Sequence, residues 1–314
     1  MIAVGGENLI DLVSMSSENG LPVYTAYPGG SPFNVAMAAG TQGGAACYLT
    51  PVSCDRLGDL LTAKLTECGV HLVGGRSDKP TSLAVVSVQD GSPSYGFYRQ
   101  DTAERQVNSA LLDEVIPDNT KIFHLGSAAL IEGADADAWE ETFTRWSKTG
   151  KLTSLDPNIR PSLVSDAGPY RKRIRQMSGV ADILKLSDED LFWLYPDCDF
   201  EAGCSACFAD STAALTVITR GGDGIRAKWG EQLIELPAFP VGTLVDTVGA
   251  GDTFMATLLV WLEMLNITCR SEMEALQEQQ IEQALQRAAV AAALNCRKQG
   301  CQPPTAAEIN EALK

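Results

Sequence analysis

The chain has 314 residues, 45% of them hydrophobic, enough to bury a sizeable core as one large α/β domain with a small appendage or as two domains. Its formal charge of −16 at pH 7 argues against nucleic acid or an anionic membrane as the main partner, because both demand a basic face. The longest apolar stretch, residues 254–262, stops at Glu263, well short of the roughly 20 residues that cross a bilayer.

In chain order, Met1-Ile2-Ala3-Val4-Gly5-Gly6-Glu7 has no basic leader and reads as a first strand, which predicts a cytoplasmic protein. Asp11 follows that strand. Segments 9–27 and 81–99 alternate with period 2, the second hinged at Asp90-Gly91, a favoured hairpin turn. Between them a helix is expected with Ser31 as its cap and Pro32 at its first position, which puts Asn34 in the first turn. The Asn34 amide can both donate and accept, as a hydroxyl ligand requires. Strands predicted at 46–52, 122–125, 152–155, 183–186 and 215–219 alternate with helical patterns, the signature of a parallel sheet covered on both faces. Gly126-Ser127, Asp156-Pro157-Asn158, Ser187 and Gly221-Gly222 fall just past carboxyl ends, so chemistry is expected along that one edge.

The run Asp246-Thr247-Val248-Gly249-Ala250-Gly251-Asp252-Thr253-Phe254 places a carboxylate at the start of an apolar helix, directly after a Gly-Ala-Gly turn. Small residues let a phosphate approach the backbone, and the free N–H groups of a first helical turn stabilise anionic oxygens. Asp252 beside such an anion predicts a proton acceptor for an attacking alcohol. Complementing the helix dipole is the alternative role. Nine cysteines include Cys198, Cys204 and Cys207, but the count is odd and neither His71 nor His124 lies near, so reduced structural thiols are expected. Arg171-Lys172-Arg173-Ile174-Arg175 reads as a solvated helix face.

The nine-residue run resembles the C-terminal signature of the ribokinase-like sugar kinases, the phosphofructokinase-B group, most closely its fructokinase-type members. Gly29-Gly30-Ser31-Pro32-Phe33-Asn34-Val35-Ala36 resembles the family's N-terminal glycine pair and sugar-contacting Asn, and Val217-Ile218-Thr219-Arg220-Gly221-Gly222-Asp223-Gly224 its turn beneath ATP. The resemblance implies a three-layer αβα core with a central, mostly parallel sheet and a small β lid. It further implies a single domain over residues 1–314, with lid segments at about 9–30 and 78–104 that close over a sugar.

The resemblance implies roles as well. Asp252 becomes the general base and Gly249, Ala250 and Gly251 the anion hole. The sugar falls to Asp11, Gly29, Gly30, Asn34, Tyr98, Arg99 and Arg160. Lys185, Ser187, Thr219, Gly221, Gly224 and Asn295 fall to ATP. Asp190, standing where the family has Glu, is assigned to Mg2+, as Ser187 stands where it has Asn; Asp246, Val248 and Gly300 are assigned to K+. For Asp246 the alternative is a turn cap that accepts backbone N–H bonds. The implied reaction is ATP-dependent phosphorylation of a primary hydroxyl, with fructose as substrate and fructose 6-phosphate as product. A 2-keto-3-deoxygluconate kinase, another sugar or nucleoside kinase, and a non-catalytic sugar sensor remain alternatives. No strand is followed by Gly-x-Gly-x-x-Gly with an acidic residue about 20 positions on, and Gly-x4-Gly-Lys-Ser/Thr is missing, which argues against a Rossmann dehydrogenase and a P-loop kinase. Partners are the sugar and ATP, without nucleic acid or membrane, and a homodimer through the lid is possible in such a family.

Overall fold

A computed structural model describes residues 1–18, 21–89 and 92–314. The strands are, in chain order, β1 (Ile2–Gly5), β2 (Leu9–Glu18), β3 (Leu21–Gly29), β4 (Ala46–Tyr48) and β5 (Val52–Ser53). There follow β6 (His71–Leu72), β7 (Arg76–Ser77), β8 (Leu83–Gln89), β9 (Ser92–Tyr98) and β10 (Ile122–Gly126). The last five are β11 (Leu152–Asp156), β12 (Ile183–Ser187), β13 (Leu215–Thr219), β14 (Ile225–Trp229) and β15 (Gln232–Leu236).

Nine strands form one sheet in the order β15-β14-β13-β12-β11-β10-β1-β4-β6, parallel from β6 to β13 and finished by an antiparallel pair. Strands such as Ile-Phe-His-Leu-Gly are buried along their whole length because helices cover both faces. The pleat sorts them. Ile2 and Val4 face a core built with Phe254, Met255 and Leu258, while Ala3 shares the opposite core with Phe123, Leu125, Trp139 and Tyr170. This is the expected α/β layering. The chain runs outward from β1 to β4 and β6 on one side and from β10 through β13 on the other, so a crevice opens between β1 and β10 at their carboxyl ends.

A second, four-stranded sheet in the order β3-β2-β8-β9 stands apart from the first. β2 pairs antiparallel with β3 and parallel with β8, so the two alternating segments meet edge to edge as one small lid. The expected turn at Asp90-Gly91 lies outside the described residues. One expected strand is corrected: residues 46–52 do not run as a unit. β4 ends at Tyr48, and β5 pairs instead with β7 in a separate two-stranded sheet. Pro51 lies between them and has no N–H to give to a ladder.

Candidate active site

The helix Ala250–Met264 begins after Gly249, whose left-handed φ of 75° turns the chain into it. A Cβ on Gly249 would overlap the Cys301 sulfur, so only glycine fits there. The Ala250 N–H donates to the Thr247 carbonyl at 3.2 Å, while the N–H groups of Gly251 and Asp252 follow at the positive end of the helix, a ready anion site. Asp252 lies in the first helical turn and is 5% exposed. Its Oδ1 accepts from Ser31 Oγ at 2.7 Å and from Asn158 Nδ2 at 3.2 Å, and its Oδ2 from Asn34 Nδ2 at 2.8 Å. Burial pushes its carboxyl above the ordinary range, while the bonds from Asn34 and Ser31 and the charges of Lys185 and Arg160 oppose the shift.

Ser31 is not the cap of its helix, as the sequence had suggested. Gly30 is the cap, at φ 105°, and the Ser31 hydroxyl makes no cap bond because Asp252 takes its proton. A Cβ on Gly30 would meet the Glu7 carbonyl. Glu7, buried past β1, accepts from the N–H groups of Ser31 and Ala129 and thereby ties the turn to the crevice floor.

Lys185 on β12 and Asp156 on β11 form a buried ion pair at 2.8 Å. Lys185 Nζ lies 2.8 Å from where a Cβ on Gly251 would stand, so a fixed positive charge underlies the anion turn. Burial works against that charge, but Asp156, Asp190 and Asp252 outweigh it and hold the lysine above its ordinary value. Burial also lifts Asp156, to about 6, although Lys185 opposes it.

On the lid side, Asp11 projects from β2 against Gly29, where any side chain would overlap its carboxylate. Burial raises Asp11 to about 6, opposed by Arg160 and assisted by Asp252 and Glu7. Arg160 bonds to Asn158 through its carbonyl and its Oδ1. Arg99 points elsewhere: it forks onto buried Glu104 at 2.8 and 3.1 Å and donates to the Ala128 carbonyl. Tyr98 is 63% exposed at the end of β9.

Ser187 caps the helix Asp188–Leu194, and Asp190 completes a capping box by accepting the Ser187 N–H on Oδ2, while its Oδ1 accepts from the Ile159 N–H. Both Asp190 oxygens are therefore committed to backbone, and among the described residues no cluster of three or more Asp, Glu, His or Cys could hold a metal ion. Each Asp190 oxygen keeps a further lone pair, so the capping box is compatible with the water-mediated contact to magnesium that the family motif implies. Thr219 ends β13 with its hydroxyl on the Leu186 carbonyl, and Gly221 and Gly224 bracket the following turn. Asp246 accepts the Val248 N–H on Oδ1 and, on Oδ2, both Gln299 Nε2 and the Gly300 N–H. Asn295 is fully buried, donating to the Val248 carbonyl and accepting from the Gln302 N–H. Its amide thereby ties the loop at Val248 to the chain at Gln302. Leu244, Val245 and Val248 stay exposed beside it.

Sequence reasoning missed the parts of Ser31, Asp156 and Asn158. The one available signal for Asn158 was an Asn directly past a strand end, where a left-handed backbone (φ 37°) suits that residue.

A buried carboxylate at a helix N-terminus, ringed by hydrogen-bonding side chains, suits a phosphotransferase that uses an alcohol acceptor. The chain belongs to the pfkB family of carbohydrate kinases, whose family model matches residues 1–308. It is similar to a fructokinase of Rhizobium leguminosarum bv. trifolii, 34% identical over 280 residues, covering 89% of this chain and 85% of that one. Fructokinase-2 of Solanum lycopersicum is 30% identical over 322 residues, covering 100% of this chain and 96% of the relative. The solved ATP-bound fructokinase of Xylella fastidiosa superposes with a TM-score of 0.90 at 26% identity, covering 99% of this chain and 97% of that one. The fold is ribokinase-like and the protein is a sugar kinase.

Proposed function

We propose that this kinase transfers the γ-phosphate of ATP to the primary hydroxyl of fructose, giving fructose 6-phosphate. The observation that carries the reading is buried Asp252 at the anion-hole helix, held by Ser31, Asn34 and Asn158. The sugar would rest on Asp11, Asn34 and Arg160, near the glycine pair Gly29-Gly30 and beneath the lid that carries Tyr98. Asp252 takes the hydroxyl proton as the sugar oxygen bonds to the γ-phosphorus. The bond from that phosphorus to the bridging oxygen breaks, and ADP leaves with the electron pair. The Gly251 N–H, with Lys185 beneath, would stabilise the transferring group, and the Ala250 N–H would join it by leaving its long bond to the Thr247 carbonyl. The lid excludes the water that would otherwise hydrolyse ATP.

Ser187, Thr219, Gly221 and Gly224 would border the nucleotide, with the exposed Leu244, Val245 and Val248 as an apolar wall for the base. Mg2+ would arrive on the ATP phosphates and screen their charge, without a protein cage. K+ would fall to Asp246, Val248 and Gly300, which are linked by the N–H groups of Val248 and Gly300 on the Asp246 carboxylate. The same reading places the enzyme in the cytoplasm with its ATP, and two copies could pair through the lid edges β3 and β9.

Arg99 favours fructose over 2-keto-3-deoxygluconate. A keto-acid clamp would use both arginines, yet Arg99 is already forked onto Glu104. ADP release with each substrate, in Mg2+ and K+, tests this. Fructose should be preferred, and Asp252→Asn should lower kcat by on the order of 10²–10⁴ while ATP affinity holds. Preference for the keto acid, activity with neither, or wild-type turnover in the variant would overturn the reading.

A further inference from the structure

The two carboxylate oxygens of Asp252 are held unequally. Oδ1 accepts from two side chains, Ser31 of the helix Ser31–Thr41 and Asn158 past β11. Oδ2 accepts from Asn34, whose own Oδ1 is buried and without a partner among the described residues. Asn34 is thus the member of the ring with an unmet bond, poised to turn to an arriving ligand.

Ser31 and Asn158 have no such freedom. Asn158 Nδ2 also donates to Ser31 Oγ at 2.7 Å, which leaves that hydroxyl to send its proton to Asp252. Arg160, which has donors only, bonds to Asn158 Oδ1 and so fixes which end of the amide faces the carboxylate. The left-handed backbone at Asn158 is one that asparagine tolerates better than most residues.

We propose that Asn158 is a positioning residue which, with Ser31, locks Oδ1 of Asp252, so that Oδ2 takes the alcohol proton when Asn34 turns from it to the sugar. The proposal rests on the kinase reading above. Arg160 holds the amide, the amide holds the base, and two donors on one oxygen favour the ionised carboxylate against burial.

The test is a carboxyl 13C NMR titration of Asp252 in the substrate-free protein, its signal identified by loss in Asp252→Asn, alongside pH profiles of kcat. Asn158→Gly keeps the left-handed backbone accessible and removes the amide; Asn158→Asp keeps the shape and replaces a donor with a charge. The Asp252 midpoint should rise by about one pH unit in Asn158→Gly and further in Asn158→Asp, and the acid limb of kcat should move with it. The kcat plateau should fall roughly 10- to 100-fold with the KM for ATP within about twofold. Unmoved midpoints in both variants overturn the proposal, as does a kcat loss without a titration shift. A wild type that phosphorylates no sugar would overturn the kinase reading instead, and the titration would still decide the clamp.

Discussion

Asp11 is a side chain whose burial acts on stability and, in the proposed sugar site, on binding. Its folded carboxyl is lifted from 3.8 to about 6, first by burial, with Arg160 pulling the other way. A raised carboxyl favours the folded state most at low pH, below its ordinary value, and that advantage disappears as pH climbs through about 6. Asp11→Asn should therefore raise Tm at pH 7–8, with the gain fading below pH 6. In the proposed sugar site Asp11 would act in its ionised form, because a carboxylate accepts hydroxyl bonds that the neutral acid accepts poorly. The sugar KM of the wild type should rise as pH falls below about 6, whereas the variant's KM should start about 10- to 100-fold higher and stay flat there. A wild-type KM that is constant from pH 5 to 8 would remove Asp11 from the sugar site.

At the scale of elements, the turn into the helix Ser31–Thr41 is where geometry and function meet. The glycine pair was legible as a motif, and the start of a helix was legible from Pro32, yet the cap was not. Local preference favours serine at a cap, but the Ser31 hydroxyl found a partner 221 positions away, which no local pattern reports. Gly30 holds φ 105° with the Glu7 carbonyl where a Cβ would stand. Gly30→Ala should cost about 1–3 kcal/mol in urea melts. It should depress kcat beyond what stability explains, since Ser31 and Asn34 move with the turn. Gly179→Ala, just past the helix Ala167–Ser178, is the control, because its φ of −72° suits any residue and a Cβ there would meet nothing nearer than 3.4 Å, and it should leave both quantities near wild type. Equal behaviour of the two variants would mean that the Gly30 turn is not strained.

Over the whole molecule, the alternation of buried strands and helices made the sheet readable, and the period-2 segments made the lid readable. The assembly of the site was not readable from spacing. Asn34 and Asn158 reach Asp252 across 218 and 94 positions, and the Lys185–Asp156 pair depends on two strands lying side by side. An acidic chain can hold ATP only if positive potential is concentrated locally, which in the proposed site would come from the helix N-terminus with Lys185, itself paired with Asp156, beneath it. The loops around Asp246 decide whether a bound cation adds to that potential. Asp246 already staples the anion turn to Gly300, so its loss should lower kcat in any salt. Rates in potassium chloride and in tetramethylammonium chloride at equal ionic strength separate the two roles, because general screening is then the same. With K+ bound, the wild type should turn over several-fold faster in potassium and Asp246→Ala should lose that difference along with its rate, whereas equal wild-type rates in both salts would leave Asp246 as a staple alone.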